Sequence, residues 1–143
     1  MAARRGVASM TLRRKSREFA LQMLFEWDMT RQEPKRVEKL FWKSASAADS
    51  TRKFANQLFE GAIAGAPAAD KLAEELAENW KLDRLATVDR SILRLAIYEL
   101  RSETAPANVV IDEALELAKK FSSAEAPAFL NGILGAALKQ IRD

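Results

Sequence analysis

The sequence predicts an all-α fold, a compact bundle of about seven helices. Three observations carry this. Apolar residues recur at helical spacing in almost every segment, and no run alternates as a strand would. Gly and Pro are scarce, 5 and 4 in 143 residues, and the prolines fall where helices begin. Finally, the stretch from Trp80 to Leu100 is apolar around most of its circumference, as a helix surrounded by others must be.

In that central stretch Val88, Ile92, Leu93, Leu95, Ala96, Ile97 and Leu100 cover an arc of about 200°. Thr87 is the expected N-cap, and Asp89 suits the positive end of the helix dipole. Arg90, Arg94 and Arg101 share the narrow polar side and read as a solvated basic stripe.

The remaining elements follow in order. Residues 1–10 lack periodicity and read as a flexible basic arm ahead of a single domain over 11–143. From Thr11 to Thr30, Ala20, Met23, Leu24 and Trp27 form one stripe, with Phe19 at its margin. Leu21 and Phe25 form a second strip about 100° away, which must face another helix or a partner. Pro34 opens a short helix through Trp42 with Val37, Leu40 and Phe41 inward. Asp49 or Ser50 caps a third helix to Ala64, burying Phe54, Leu58 and Ala62. Gly61 and Gly65 mark a close crossing or a helix end. Pro67 opens a fourth helix with Leu72, Ala73, Leu76, Ala77 and Trp80 inward, and a connection over Leu82–Ala86 leads to the central helix. A sixth helix over Asn108–Phe121 buries Ile111, Ala114, Leu115, Ala118 and Phe121. Pro127 opens the last, with Leu130, Ile133, Leu134, Ala137, Leu138 and Ile141 inward.

Composition narrows the function. With no Cys and no His, disulfide scaffolds, zinc sites, thiol nucleophiles and Ser-His-Asp triads are excluded. No glycine-rich phosphate loop is present, and neither an active site nor a cofactor is expected. The chain has no apolar run long enough to span a membrane and no secretory signal, so a cytoplasmic location is expected. The net charge of +3 is unevenly spread. Residues 1–17 carry six basic and no acidic residues, leaving 17 basic against 20 acidic residues in the remainder. A basic front on a mildly acidic body fits a polyanion at one place and a basic partner at another.

Arg13, Arg14, Lys15 and Arg17 place four charges in five positions. If four phosphates are neutralised, a fourfold rise in salt should weaken binding to a single strand about 50-fold. Positive charge in the first turns opposes the helix dipole, so stability does not explain the cluster. Phe129 lies outside the buried stripe of the last helix, beside Asn131, and could stack an unpaired base; it could equally staple the helix start. Lys119 and Lys120 add charge at the same end. Basic residues with an accessible aromatic suggest single-stranded RNA rather than duplex DNA.

Three blocks then carry a resemblance: RRKSREFALQMLFEWD, VDRSILRLAIYEL and VVIDEALELAKKFSSAEAPAFLNGIL. In order and spacing they resemble the NusB transcription antitermination factors, over about residues 11–141. The resemblance implies two packed sub-bundles, three helices then four, of about 11–66 and 67–143. It also implies a non-enzymatic protein that binds the single-stranded boxA element of ribosomal RNA leader transcripts. It acts with NusE, a small-subunit ribosomal protein, in an antitermination complex on RNA polymerase. The family's arginine-rich motif falls on Arg13, Arg14, Lys15 and Arg17, its RNA-contacting aromatic on Phe129, and its NusE-facing residues on Phe25, Asp83 and Asp89. Two positions depart from the family pattern: Gly135 replaces an acidic residue, and Ala77 an aromatic found in some relatives. Dimers occur in some members, so a homodimer is left open. The alternative is the NusB-like RNA-binding domain of an RNA methyltransferase, which needs a catalytic domain beyond Asp143.

Overall fold

The computed structural model describes residues 2–77 and 85–142, with residues 2–11 described by their backbone alone. Among these residues there are seven α-helices and no strand. Trp80, Leu82 and Asp83 lie outside the described residues. By contact the chain divides into two compact units, Met1–Glu60 and Gly61–Asp143.

The first unit holds α1 (Ala2–Thr30), α2 (Pro34–Ser44) and most of α3 (Asp49–Ala64). Helix α1 begins at Ala2, so backbone expected to form an arm continues the helix instead. Ala2, Ala3, Arg4 and Arg5 are strong helix formers, and no proline interrupts the run into Thr11. The helix buries Phe19, Ala20, Leu21, Met23 and Leu24, so Leu21 joins the core while Phe25 stays outside. At its end Arg31 adopts a left-handed φ of 57° and donates its N–H to the Trp27 carbonyl at 2.7 Å.

In α2, Pro34 occupies the first turn, where its missing N–H has no helical acceptor to lose. Val37 is buried as expected, but Leu40 is exposed and Glu38 takes the second buried position. Phe41 and Trp42 pack edge-on against Phe19, with centroids 5.7 and 5.2 Å away. Helix α3 begins at Asp49 itself, so that residue complements the dipole from within the first turn rather than capping from outside. Ser16 Oγ ties α1 to α3 by donating to the Thr51 carbonyl at 2.9 Å.

The second unit begins six residues before the expected boundary at 66/67. The cause is Gly61: a Cβ there would stand 2.1 Å from the Tyr98 ring, so the last turn of α3 packs on α5. Gly65 then closes α3 and precedes α4 (Ala66–Leu76), its N–H meeting the Gly61 carbonyl at 3.0 Å. Helices α5 (Thr87–Ser102), α6 (Ala107–Phe121) and α7 (Ala126–Arg142) complete the unit.

Helix α5 is buried on nearly every side from Ser91 to Leu100. Ala86, not Thr87, precedes its first turn, and no side chain caps it. Arg94 is not solvated either. It is buried and pairs bidentately with Asp70 of α4, with both N···O distances 2.8 Å. The deepest row of α6 is Val110, Ala114, Leu117 and Ala118 with Glu113, whereas Ile111, Leu115 and Phe121 are half-buried. Two apolar rows, one position apart, compete on this helix. Packing against both α5 and α7 sets which goes deeper. Helix α7 buries Leu130, Ile133, Leu134 and Ala137, with Leu138 and Ile141 at the edge.

Candidate nucleic-acid interface

In the first unit, Leu12, Arg13, Arg14 and Lys15 are exposed on α1, but Arg17 is 3% exposed. Arg13 and Arg17 lie one turn apart on the same face, and that face meets α3. There Phe54 sits with the Arg13 guanidinium 4.8 Å and the Arg17 guanidinium 6.0 Å from its ring centroid. Arg17 therefore acts as the inner flank of an aromatic ring, and the exposed cations of the run are Arg13, Arg14 and Lys15. Lys15 Nζ lies 5.2 Å from the Phe19 centroid and 3.9 Å from Glu18. A depression of about 250 Å³ opens beside this cluster, lined by Leu12, Arg13, Ser16, Ser50, Thr51 and Phe54. Phe54 was legible in sequence only as a core residue of α3. Its place under Arg13 depends on how α3 lies on α1.

In the second unit, the end of α6 carries Lys119 and Lys120 and the first two turns of α7 carry Phe129 and Asn131, on either side of a four-residue connection. Both lysines are exposed in the last turn of α6, where they also suit the negative end of its dipole. Lys119 pairs with Glu116 at 3.2 Å, and Lys120 lies 5.4 Å from the Phe121 centroid. Asn131 is exposed, and Phe129 is half-buried rather than a freely projecting ring.

The residues expected to face a protein partner separate. Phe25 is 39% exposed, with Met29 one turn on at 63%. A groove of about 300 Å³ runs close by between α1 and α2, lined by Glu26, Thr30, Gln32, Val37, Leu40, Phe41 and Ser44. Leu40, expected inward, lines this groove. Asp89 is 8% exposed and accepts a short hydrogen bond from Ser122 Oγ. It therefore fastens the end of α6 to the start of α5, and so supports the corner that carries Phe129, rather than offering a free carboxylate. Asp83 is outside the described residues. Of the two departures from the family pattern, Ala77 is buried, while a Cβ on Gly135 would meet open space.

The described residues contain no group of acidic side chains able to hold a metal ion. None of their helices is long and apolar enough to cross a membrane.

The NusB family model matches residues 14–139. The transcription antitermination protein NusB of Koribacter versatilis is 45% identical over 131 residues, covering 90% of each chain. That of Symbiobacterium thermophilum is 38% identical over 139 residues, covering 91% of each. Among solved structures, NusB of T. maritima superposes with a TM-score of 0.80 at 33% identity, covering 90% of this chain and 91% of that one. A crystal structure of antitermination factors NusB and NusE in complex with dsRNA also gives 0.80, at 28% identity, covering 92% and 98%. The three sequence blocks, the seven-helix fold and these matches agree: the chain belongs to the NusB family.

Proposed function

We propose that this protein is a non-enzymatic, cytoplasmic transcription antitermination factor that binds single-stranded boxA RNA of ribosomal RNA leader transcripts together with NusE. The pair then joins an antitermination complex on RNA polymerase. The observation that carries the reading is the exposed run Arg13–Arg14–Lys15 on α1, held in place by Phe54 and Phe19. With α1 beginning at Ala2, the run lies in mid-helix instead of the expected first turns; charge there gains nothing from the helix dipole and, braced on aromatic rings, serves a ligand rather than the fold. The corner of Lys119, Lys120, Phe129 and Asn131 supplies further cations and an aromatic edge for an unpaired base. Phe25 and Met29, beside the groove between α1 and α2, offer NusE an apolar contact. Family membership supports the same reading, since a NusB structure in the comparison holds both NusE and RNA.

The test is fluorescence anisotropy of labelled boxA RNA with and without NusE. With Arg17 buried, three cations remain to meet phosphates. A fourfold rise in salt should then weaken binding about 20-fold. Arg13→Ala/Arg14→Ala should weaken binding and flatten that salt dependence, with the helical content unchanged. Binding that ignores both salt and these substitutions would refute the reading.

A further inference from the structure

A second basic surface lies in the first unit, on residues of α2 and α3 other than those assigned above. Lys35, Lys39 and Lys43 recur every four residues along one side of α2, and Arg52 projects from α3. Together they rim an open depression of about 410 Å³ whose floor includes Trp42. The Arg52 guanidinium lies 5.1 Å from the Trp42 ring centroid. The indole is itself fixed, because its Nε1 donates to Asn56 Oδ1 at 2.8 Å and its edge meets Phe19 and Phe41.

The charges of this face divide into two groups. Lys35 is committed to carboxylates, 2.8 Å from Glu60 and 3.5 Å from the buried Glu38. Lys39 and Lys43 are exposed and have no ion-pair partner among the described residues. Lys39 stands in mid-helix, where the dipole gives it no stabilising role. Among the described residues Lys39 thus has no internal use, while Lys43, in the last turn of α2, suits the helix dipole but meets no carboxylate.

We propose that Lys39, Lys43 and Arg52, gathered around Trp42, form a second backbone track for single-stranded RNA. The inference rests on the RNA-binding reading given above and extends its site. Lys39 and Lys43 are separated by about 6 Å of helix rise, comparable to the step between successive phosphates on an extended strand. A guanidinium stacked on an indole presents a flat outer face on which a base can lie. An acidic polypeptide would use the charges alone and leave that face without a role. The surface is also joined to the basic run of α1 by a chain of ring contacts. Lys15 lies over Phe19, Phe19 meets Trp42, and Trp42 carries Arg52, at 5.2, 5.2 and 5.1 Å. One strand can thus leave Lys15 and continue across α2.

The test compares wild type, Lys39→Ala/Lys43→Ala and Arg13→Ala/Arg14→Ala in binding a long unstructured oligouridine across a salt series. Both lysines lack partners, so the first variant should keep its thermal midpoint. Its log–log salt slope should be shallower by about 1.4, so that a fourfold salt rise weakens it about sevenfold less than wild type. Arg52→Ala in the same background should remove about 0.7 more. In wild type, bound oligouridine should protect Lys39 and Lys43 from acetylation. A loss confined to Arg13→Ala/Arg14→Ala overturns this inference alone. A loss confined to Lys39→Ala/Lys43→Ala overturns the α1 anchor and leaves the second track standing. Displacement of the RNA by polyglutamate of equal charge would overturn the track in favour of an acidic protein, and absence of RNA binding by wild type would overturn both readings.

Discussion

The two units of this chain handle charge in opposite ways. In residues 61–143 the polar groups that matter are buried and consumed by one another: Arg94 by Asp70, Asp89 by Ser122, and Glu99 by Thr104 at 2.7 Å. In residues 1–60 cations are laid over aromatic rings: Arg13 on Phe54, Lys15 on Phe19, Arg31 on Trp27 and Arg52 on Trp42. A buried ion pair fixes one packing and leaves nothing for a ligand. A guanidinium over a ring is positioned by its flat face, with its N–H donors at the edge; Arg31 turns one of them to Asp28 at 3.0 Å. The same residue type, arginine, is thus held by a buried ion pair in one unit and by aromatic rings in the other.

The sharpest break of this contrast is Arg94→Met. It leaves Asp70 without its bidentate partner and should lower stability by about 3 kcal/mol, measured by urea unfolding. The matching Arg13→Met should change stability by less than about 0.5 kcal/mol. Equal costs would show that the contrast is not real.

Gly61→Ala comes next. Its Cβ would overlap the Tyr98 ring, so either the ring or α3 must shift, at about 2 kcal/mol. Gly132→Ala, where a Cβ meets open space, is the control and should be neutral or slightly stabilising.

The smallest effect concerns Glu38, the exception in the first unit. Burial holds its carboxyl above the ordinary value of 4.5; Glu60 reinforces this and Lys35 opposes it. One carboxylate oxygen, Oε2, is buried with no hydrogen-bond partner. The folded state therefore binds the Glu38 proton more tightly than the unfolded chain does. Stability present below pH 4.5 is lost as pH rises through the elevated folded value. Glu38→Gln should escape that loss and gain about 1 kcal/mol at neutral pH, the gain vanishing in acid. A gain that persisted at low pH would mean that packing, not charge, distinguishes the variant.

What the sequence determined by itself was the periodic part of the protein. Helix type, helix order and the prolines that open α2, α4 and α7 follow from local spacing and backbone chemistry, which act within one or two turns. The family's three blocks also placed the basic run on α1. What only the tertiary structure decided was which of two adjacent faces goes inside. Leu40 and Leu21 are both apolar, yet Leu40 is exposed and Leu21 buried. Arg94 and Arg17 looked like surface cations, yet Asp70 and Phe54 draw them inward. Asp89 looked like a docking carboxylate, yet it is spent on Ser122, 33 positions away. Long side chains reach either water or a distant partner from the same helical position, and the choice depends on what another helix presents there. Periodicity within one helix carries no record of that neighbour, so the faces, and with them the second basic surface, emerge only when the helices are packed.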